Sequence, residues 1–222
     1  MKIVISDEIR QAAPAYMTLV MEADVLNIPS PDALWAEIEQ FADEYRASTE
    51  LSQVNKRPGI ASTRAAYKAL GKDPNRYRPS NESMGRRLVK GMELYCIDAL
   101  VDLVNLLSLK SGYSIGGFDR DKISGDTLTL GVGREGEPYE GIGRGELNIA
   151  GLPVFRDAVG GVGTPTSDNE RTKMDLDTRH IVITIHQFAE DMPLDRTEQL
   201  ARRLLEDYAS ATNITSRIIK AS

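Results

Sequence analysis

Three groups of residues in this chain have types and spacings suited to chemistry. The first surrounds a helix start at Arg78, Ser80, Glu82, Arg86 and Arg87. Guanidinium groups grip phosphate or carboxylate in a bidentate manner, so Arg78 and Arg87 are candidate anion ligands. A plain structural reading also stands: Ser80 caps the helix, and Glu82 and Arg86, at i and i+4, form an exposed pair worth ~0.3–0.5 kcal/mol. The second group is the run TPTSDNERT from Thr164 to Thr172, preceded by Gly160, Gly161 and Gly163. It crowds hydroxyl, carboxylate, amide and guanidinium groups onto one loop, where a rigid scaffold aims functional side chains; a solvated turn is the alternative. The third is Asp98, Asp102 and Asn105, which lie at i, i+4 and i+7 and so share one stripe of an otherwise apolar helix.

Other chemistries are poorly supported. The runs GVGREGE (131–137) and GIGRG (141–145) lack the Gly-Lys-Ser/Thr ending of a phosphate loop, and no strong helix follows them, so both read as hairpin turns. His180 and His186 flank the strand HIVITIH and face one side. At ~3.3 Å per residue they stand roughly 20 Å apart, too far to share a metal. Each is left as a lone acid or base, or as a structural histidine. One cysteine, Cys96, in an apolar setting, and two histidines do not make a structural zinc cage. Nothing in the pattern calls for a metal or a cofactor.

The elements that must position these groups are legible from periodicity. Lys2–Ile5 and Tyr16–Val25 read as strands. Ser30 before Pro31 is a helix start, with Ser at the N-cap. Leu34, Trp35, Ile38, Phe41 and Tyr45 then recur at helical spacing, with Trp35 as a core anchor. Helices follow over Ser62–Leu70, from Ser80 to about Lys90, and over Ile97–Ser108, with a loop at Gly71–Pro79. After Gly112 the period changes to short β pieces between glycine turns: Tyr113–Ile115, Thr127–Val132, Leu147–Ile149, Val154–Asp157 and His180–Phe188. Asp195 and Glu198 form a capping box for a helix over Arg196–Tyr208, and Ile214–Ile219 returns as an edge strand. Helices first, then a β-rich half, indicate an α+β fold with a largely antiparallel sheet packed with helices, in one domain over residues 1–222.

Composition narrows the classes further. The 222 residues are 41% hydrophobic, enough for a sizeable core. No stretch reaches the roughly 18 apolar residues of a membrane span, and MKIVISDEIRQ has no secretory signal core, so a reducing cytoplasm is the expected compartment. The net charge is −6, yet residues 56–90 hold ten cations against Asp73 and Glu82, a local +8 that leaves −14 elsewhere. Such asymmetry steers a phosphate-bearing ligand to one face, unless it only pairs with the acidic helix at 31–50.

The stretch from Arg78 to Lys122 holds Arg78-Pro79-Ser80, Glu82, Arg86-Arg87, Gly91, Val101-Asp102, Asn105, Ser108-Leu109, Gly116-Gly117, Asp119 and Asp121-Lys122, followed by Gly125. At this spacing it resembles the editing domain of the phenylalanyl-tRNA synthetase beta subunit (its third and fourth modules) and that domain's free-standing relatives, over about residues 78–185. The resemblance implies tRNA or aminoacyl-tRNA as partner and hydrolysis of a wrongly attached amino acid in trans, with an RNA-binding module without turnover, or an amino-acid or metabolite binder, as alternatives. It implies a pocket between Gly116–Asp119, Asn105 and the Thr164–Thr172 loop. Asn105, Asp119, Thr166 and Asp168 would carry the chemistry. Arg78, Ser80, Glu82, Arg86, Arg87, Gly116, Gly117, Arg171 and Thr172 would hold the substrate. No membrane partner is implied, and no oligomeric state follows. The chain departs from the synthetase pattern at Asp98-Ala99 (paired Asn), Val104 (Thr), Gly116 (His) and Thr166 (Glu).

Overall fold

The computed structural model describes all 222 residues. It contains ten strands and six α-helices, with the second to fifth helices consecutive and the third to ninth strands following them. One sheet has the order β1 (Lys2–Ile5), β4 (Thr127–Val132), β7 (Pro153–Arg156) and β8 (Gly161–Gly163). The other runs β10 (Thr212–Lys220), β2 (Met17–Asp24), β9 (His180–Gln187) and β3 (Ser114–Asp119). A small hairpin joins β5 (Glu140–Gly141) to β6 (Gly145–Glu146). Only β1 and β4 pair in parallel; every other named pair is antiparallel. The fold is α+β and largely antiparallel, as the sequence indicates.

Alternation along β2 and β9 sets the layers. Leu19, Met21 and Ala23, with Ile181, Ile183 and Ile185, face the helices. Val20 and Val182 face the other sheet, against Leu128, Leu130 and Phe155. Both faces of the central sheet are thus buried, which explains why every residue of β9 after His180 is buried. His186 also lies inside, sharing a 2.9 Å hydrogen bond with Tyr16. Burial pushes its imidazole down to about 3, so it is neutral and structural. His180, at the far strand end, is exposed beside Asp121 and Asp24.

The helices are α1 (Asp7–Ala12), α2 (Asp32–Ser48), α3 (Pro58–Ala69), α4 (Ser80–Val89), α5 (Ala99–Ser111) and α6 (Leu194–Ala209). Several local readings are corrected. Ser30 does not cap α2; its hydroxyl donates to Asp102, which also accepts from the Trp35 indole at 3.1 Å. Prolines occupy the N-cap positions of α2, α4 and α6, and none makes a side-chain cap bond. Ser80 is therefore the first helical residue rather than a cap, and its N–H donates to the Pro165 carbonyl at 2.8 Å. Asp195 and Glu198 form no capping box; Glu198 instead accepts from Arg202 and Ser216. Helix α3 starts at Pro58 because proline suits the first turn. The strand expected at Leu147–Ile149 ends earlier, at Glu146. Cys96 is exposed rather than in an apolar setting.

Helix α5 is the element on which the site is built. Asp98 caps it, accepting from the Val101 N–H at 2.9 Å, and Gly112 ends it at φ 84°. A Cβ at Gly112 would stand 2.4 Å from Asp191 and 2.5 Å from Arg57. Those two residues form an ion pair that also fixes the start of α3. Gly112→Ala combines a left-handed backbone cost of ~1–2 kcal/mol with that clash. Chemical denaturation should show a loss of about 2 kcal/mol or more; an unchanged midpoint would sink this assignment.

Candidate functional site

A cavity of about 1100 Å³ opens beside α5. Its walls are α4, the irregular stretch Gly91–Asp98, one face of α5, the β5–β6 turn and the segments 164–168 and 173–176. The floor is apolar, with Val101, Val104, Ile115 and Met174 around Asn105, Gly117 and Asp168. The lining includes six cationic side chains, Arg78, Arg86, Arg87, Lys90, Arg144 and Lys173, against three acids, Asp98, Asp168 and Asp175. Four of those cations come from the basic 56–90 segment. No ion pair joins that segment to α2, whose Glu37 binds Lys110 and Arg203 instead. Within the segment Arg57 pairs with Asp191 and Arg64 and Arg86 pair with Glu82, whereas Arg87 and Lys90 line the cavity without an ion pair.

Asp168 is the most unusual group here. Its Oδ2 accepts the Gly117 N–H at 3.0 Å, and no cation pairs with it. Glycines make the room: a Cβ at Gly163 would lie 2.7 Å from Asp168 Oδ1, and one at Gly116 would lie 3.3 Å away. Burial pushes the carboxyl up to about 7, with the Gly117 hydrogen bond pulling only partly the other way. A group titrating near neutrality in a cleft is suited to moving a proton.

The 164–168 turn is held stiffly. Thr164 Oγ1 accepts from the Thr166 and Ser167 N–H groups at 3.2 and 3.1 Å. Thr166 shares a 2.9 Å hydrogen bond with buried Tyr67, and Pro165 is tied to the start of α4.

Of the residues singled out from the sequence, Arg78, Ser80, Arg86, Arg87, Asn105, Gly117, Thr166 and Asp168 line the cavity. Five do not. Glu82 is buried beneath α4, with Arg64 and Arg86 each at 2.8 Å. Gly116 points its absent side chain at Phe118 and Thr184. Asp119 accepts from Thr178 and lies near Lys122. Arg171 grips Asp157 with two 2.9 Å contacts, and Thr172 is buried under Val162. Asp102 does not line the cavity: its carboxylate accepts from Ser30 and Trp35 on the α2 side and from the Ile97 N–H beside Asp98. Sequence reasoning missed Lys90, Arg144, Met174 and the apolar stretch Met92–Ile97. GIGRG is a hairpin as expected, yet its Ile142, Gly143 and Arg144 also line the cavity, and Gly-rich turns give no such signal.

Residues 62–204 match the model of the B3/4 domain. The chain belongs to the B3/4 domain family. The matched span is wider at both ends than the motif pattern over 78–185 suggests, and it contains α4, α5 and the whole cavity lining. Among solved structures, this B3/4 domain is similar to an N-terminal fragment of the phenylalanyl-tRNA synthetase beta-subunit from Pyrococcus horikoshii. The two are 11% identical with a TM-score of 0.47, over 98% of this chain and 53% of that one. The chain thus spans about half the length of that fragment. No curated protein matches the chain. No helix is long and apolar enough to cross a membrane.

Proposed function

We propose that this B3/4 protein hydrolyses the ester of an aminoacyl-tRNA in trans. The observation that carries the reading is one cavity joining a cationic rim to an apolar floor with a carboxyl that titrates near neutrality. The rim supplies charge for RNA phosphates, the floor accepts an amino-acid side chain, and the likeness to the synthetase editing pattern supplies the substrate class. In this reaction ionised Asp168 takes a proton from water as the water oxygen attacks the ester carbonyl. The bond to the terminal ribose oxygen then breaks, and that oxygen receives the proton, leaving a free amino acid and intact RNA. Asn105, half-buried on α5, offers its amide to orient the acyl group.

The test is a panel of labelled aminoacyl-tRNAs, each incubated with the protein and with Asn105→Ala. One ester should be lost faster, with the acceleration reduced about tenfold in the variant. No acceleration for any ester, under conditions where RNA binds, would overturn the hydrolase reading.

A second reading is an RNA-binding module without turnover. Two observations favour it: the Thr166 hydroxyl is already engaged by Tyr67, and Gly116 presents no side chain where the synthetase pattern has histidine. Its signature is salt-sensitive affinity with an unchanged ester lifetime.

A further inference from the structure

Tyr95 is 67% exposed, in a stretch without regular structure at the cavity edge. It is nevertheless held. The Arg87 guanidinium lies 4.2 Å from the ring centroid, and Arg87 Nη1 donates to the phenolic oxygen at 3.3 Å. Arg87 Nε is itself fixed by the Glu93 carbonyl. The ring is therefore a braced plate, and no aromatic or second cationic group covers its other face.

The charge around it is also uncompensated. Arg87 forms no ion pair, and neither does Lys90, three residues further along the chain. An aromatic plate beside unpaired cations is the arrangement by which proteins hold single-stranded nucleic acid, because every base has a face to stack and every nucleotide a phosphate. A purely apolar partner would leave both cations without a counter-charge.

We propose that Tyr95, braced by Arg87, is a stacking platform for a base at the single-stranded end of an RNA, with Lys90 receiving the adjoining phosphate. The inference rests on the reading that the cavity takes an RNA-borne ester, and it adds the subsite that places the RNA end at the cavity mouth.

The experiment measures binding of a labelled, unstructured oligoribonucleotide by anisotropy, and of the same oligonucleotide with an abasic terminal nucleotide. Tyr95→Ala should weaken binding about tenfold, Tyr95→Trp should restore it, and the abasic probe should bind wild type and Tyr95→Ala alike. Lys90→Ala should lower the salt dependence, while Tyr95→Ala leaves it unchanged. If Lys90→Ala weakens binding but Tyr95→Ala does not, the platform falls and the RNA reading stands. If wild type binds neither oligonucleotide and hydrolyses no aminoacyl-tRNA, both fall. Binding of anionic vesicles in place of RNA would overturn the platform in favour of a membrane surface.

Discussion

Glu82→Ala should cost about 3–4 kcal/mol of folding stability, far more than an exposed i,i+4 pair is worth. The glutamate is fully buried in the first turn of α4. Its Oε2 meets Arg64 at 2.8 Å, its Oε1 meets Arg86 at 2.8 Å, and Arg78 stands 3.9 Å away. Arg64 is itself only 12% exposed, and it also donates to the Pro74 carbonyl and to Asn75. Removing the carboxylate leaves that guanidinium buried without a counter-charge, which is the expensive way to break such a pair. The melting temperature should fall by about 10 °C for a chain of this size. Arg86→Ala provides the contrast: it leaves the Arg64 contact intact and should cost only about 1 kcal/mol. The same change at Glu82 also releases Arg78 and Arg86, two of the arginines that line the cavity. A loss no larger than ~0.5 kcal/mol would place Glu82 back among solvated surface pairs.

Glu82 also illustrates which features were legible in the sequence. Periodicity located α2, α4, α5 and α6 to within a few residues, because burial repeats along a helix and leaves a trace in residue type. It placed β9 and β10 for the same reason. Capping is misread because a serine or a glutamate near a helix start is locally suited to the role, while its side chain is spent elsewhere. Ser30 goes to Asp102, and Glu198 goes to Ser216. Those partners are remote in sequence, and no local rule finds them. The candidate site divides along the same line. Asn105 and the 164–168 turn reach the cavity because α5 and the turn face it. Arg171 has the same composition signal, but it is drawn off by Asp157, which only the β7–β8 turn brings near. Of the basic segment from 56 to 90, Arg78, Arg86, Arg87 and Lys90 line the cavity, while Arg57 and Arg64 are spent on Asp191 and Glu82.

Asp168→Asn should lower ester hydrolysis about a hundredfold and remove its pH dependence, the usual scale for loss of a positioned general base. Because the wild-type carboxyl is pushed up to about 7, its ionised fraction and hence the rate should climb as pH passes through about 7 and level off above it. Stability should move the other way. In the unfolded chain an aspartate loses its proton near ~4. Between that value and the folded value the native state holds a proton the unfolded state has released, so wild-type stability falls as pH rises across this window and is flat beyond it. Asparagine keeps an acceptor for the Gly117 N–H but carries no charge. The variant should therefore match wild type near the lower end of the window and exceed it above neutrality, by about 1–2 kcal/mol once the opening of the residue to the cavity is allowed for. Thermal melts at several pH values test this part without any substrate. A stability difference that does not change with pH would mean that the carboxyl is ionised throughout. A variant with full activity and the wild-type pH profile would move the proton transfer to another group or to the RNA itself. The predicted pairing of lost hydrolysis with gained stability is what separates a carboxyl kept in an apolar floor for its chemistry from one kept there for the fold.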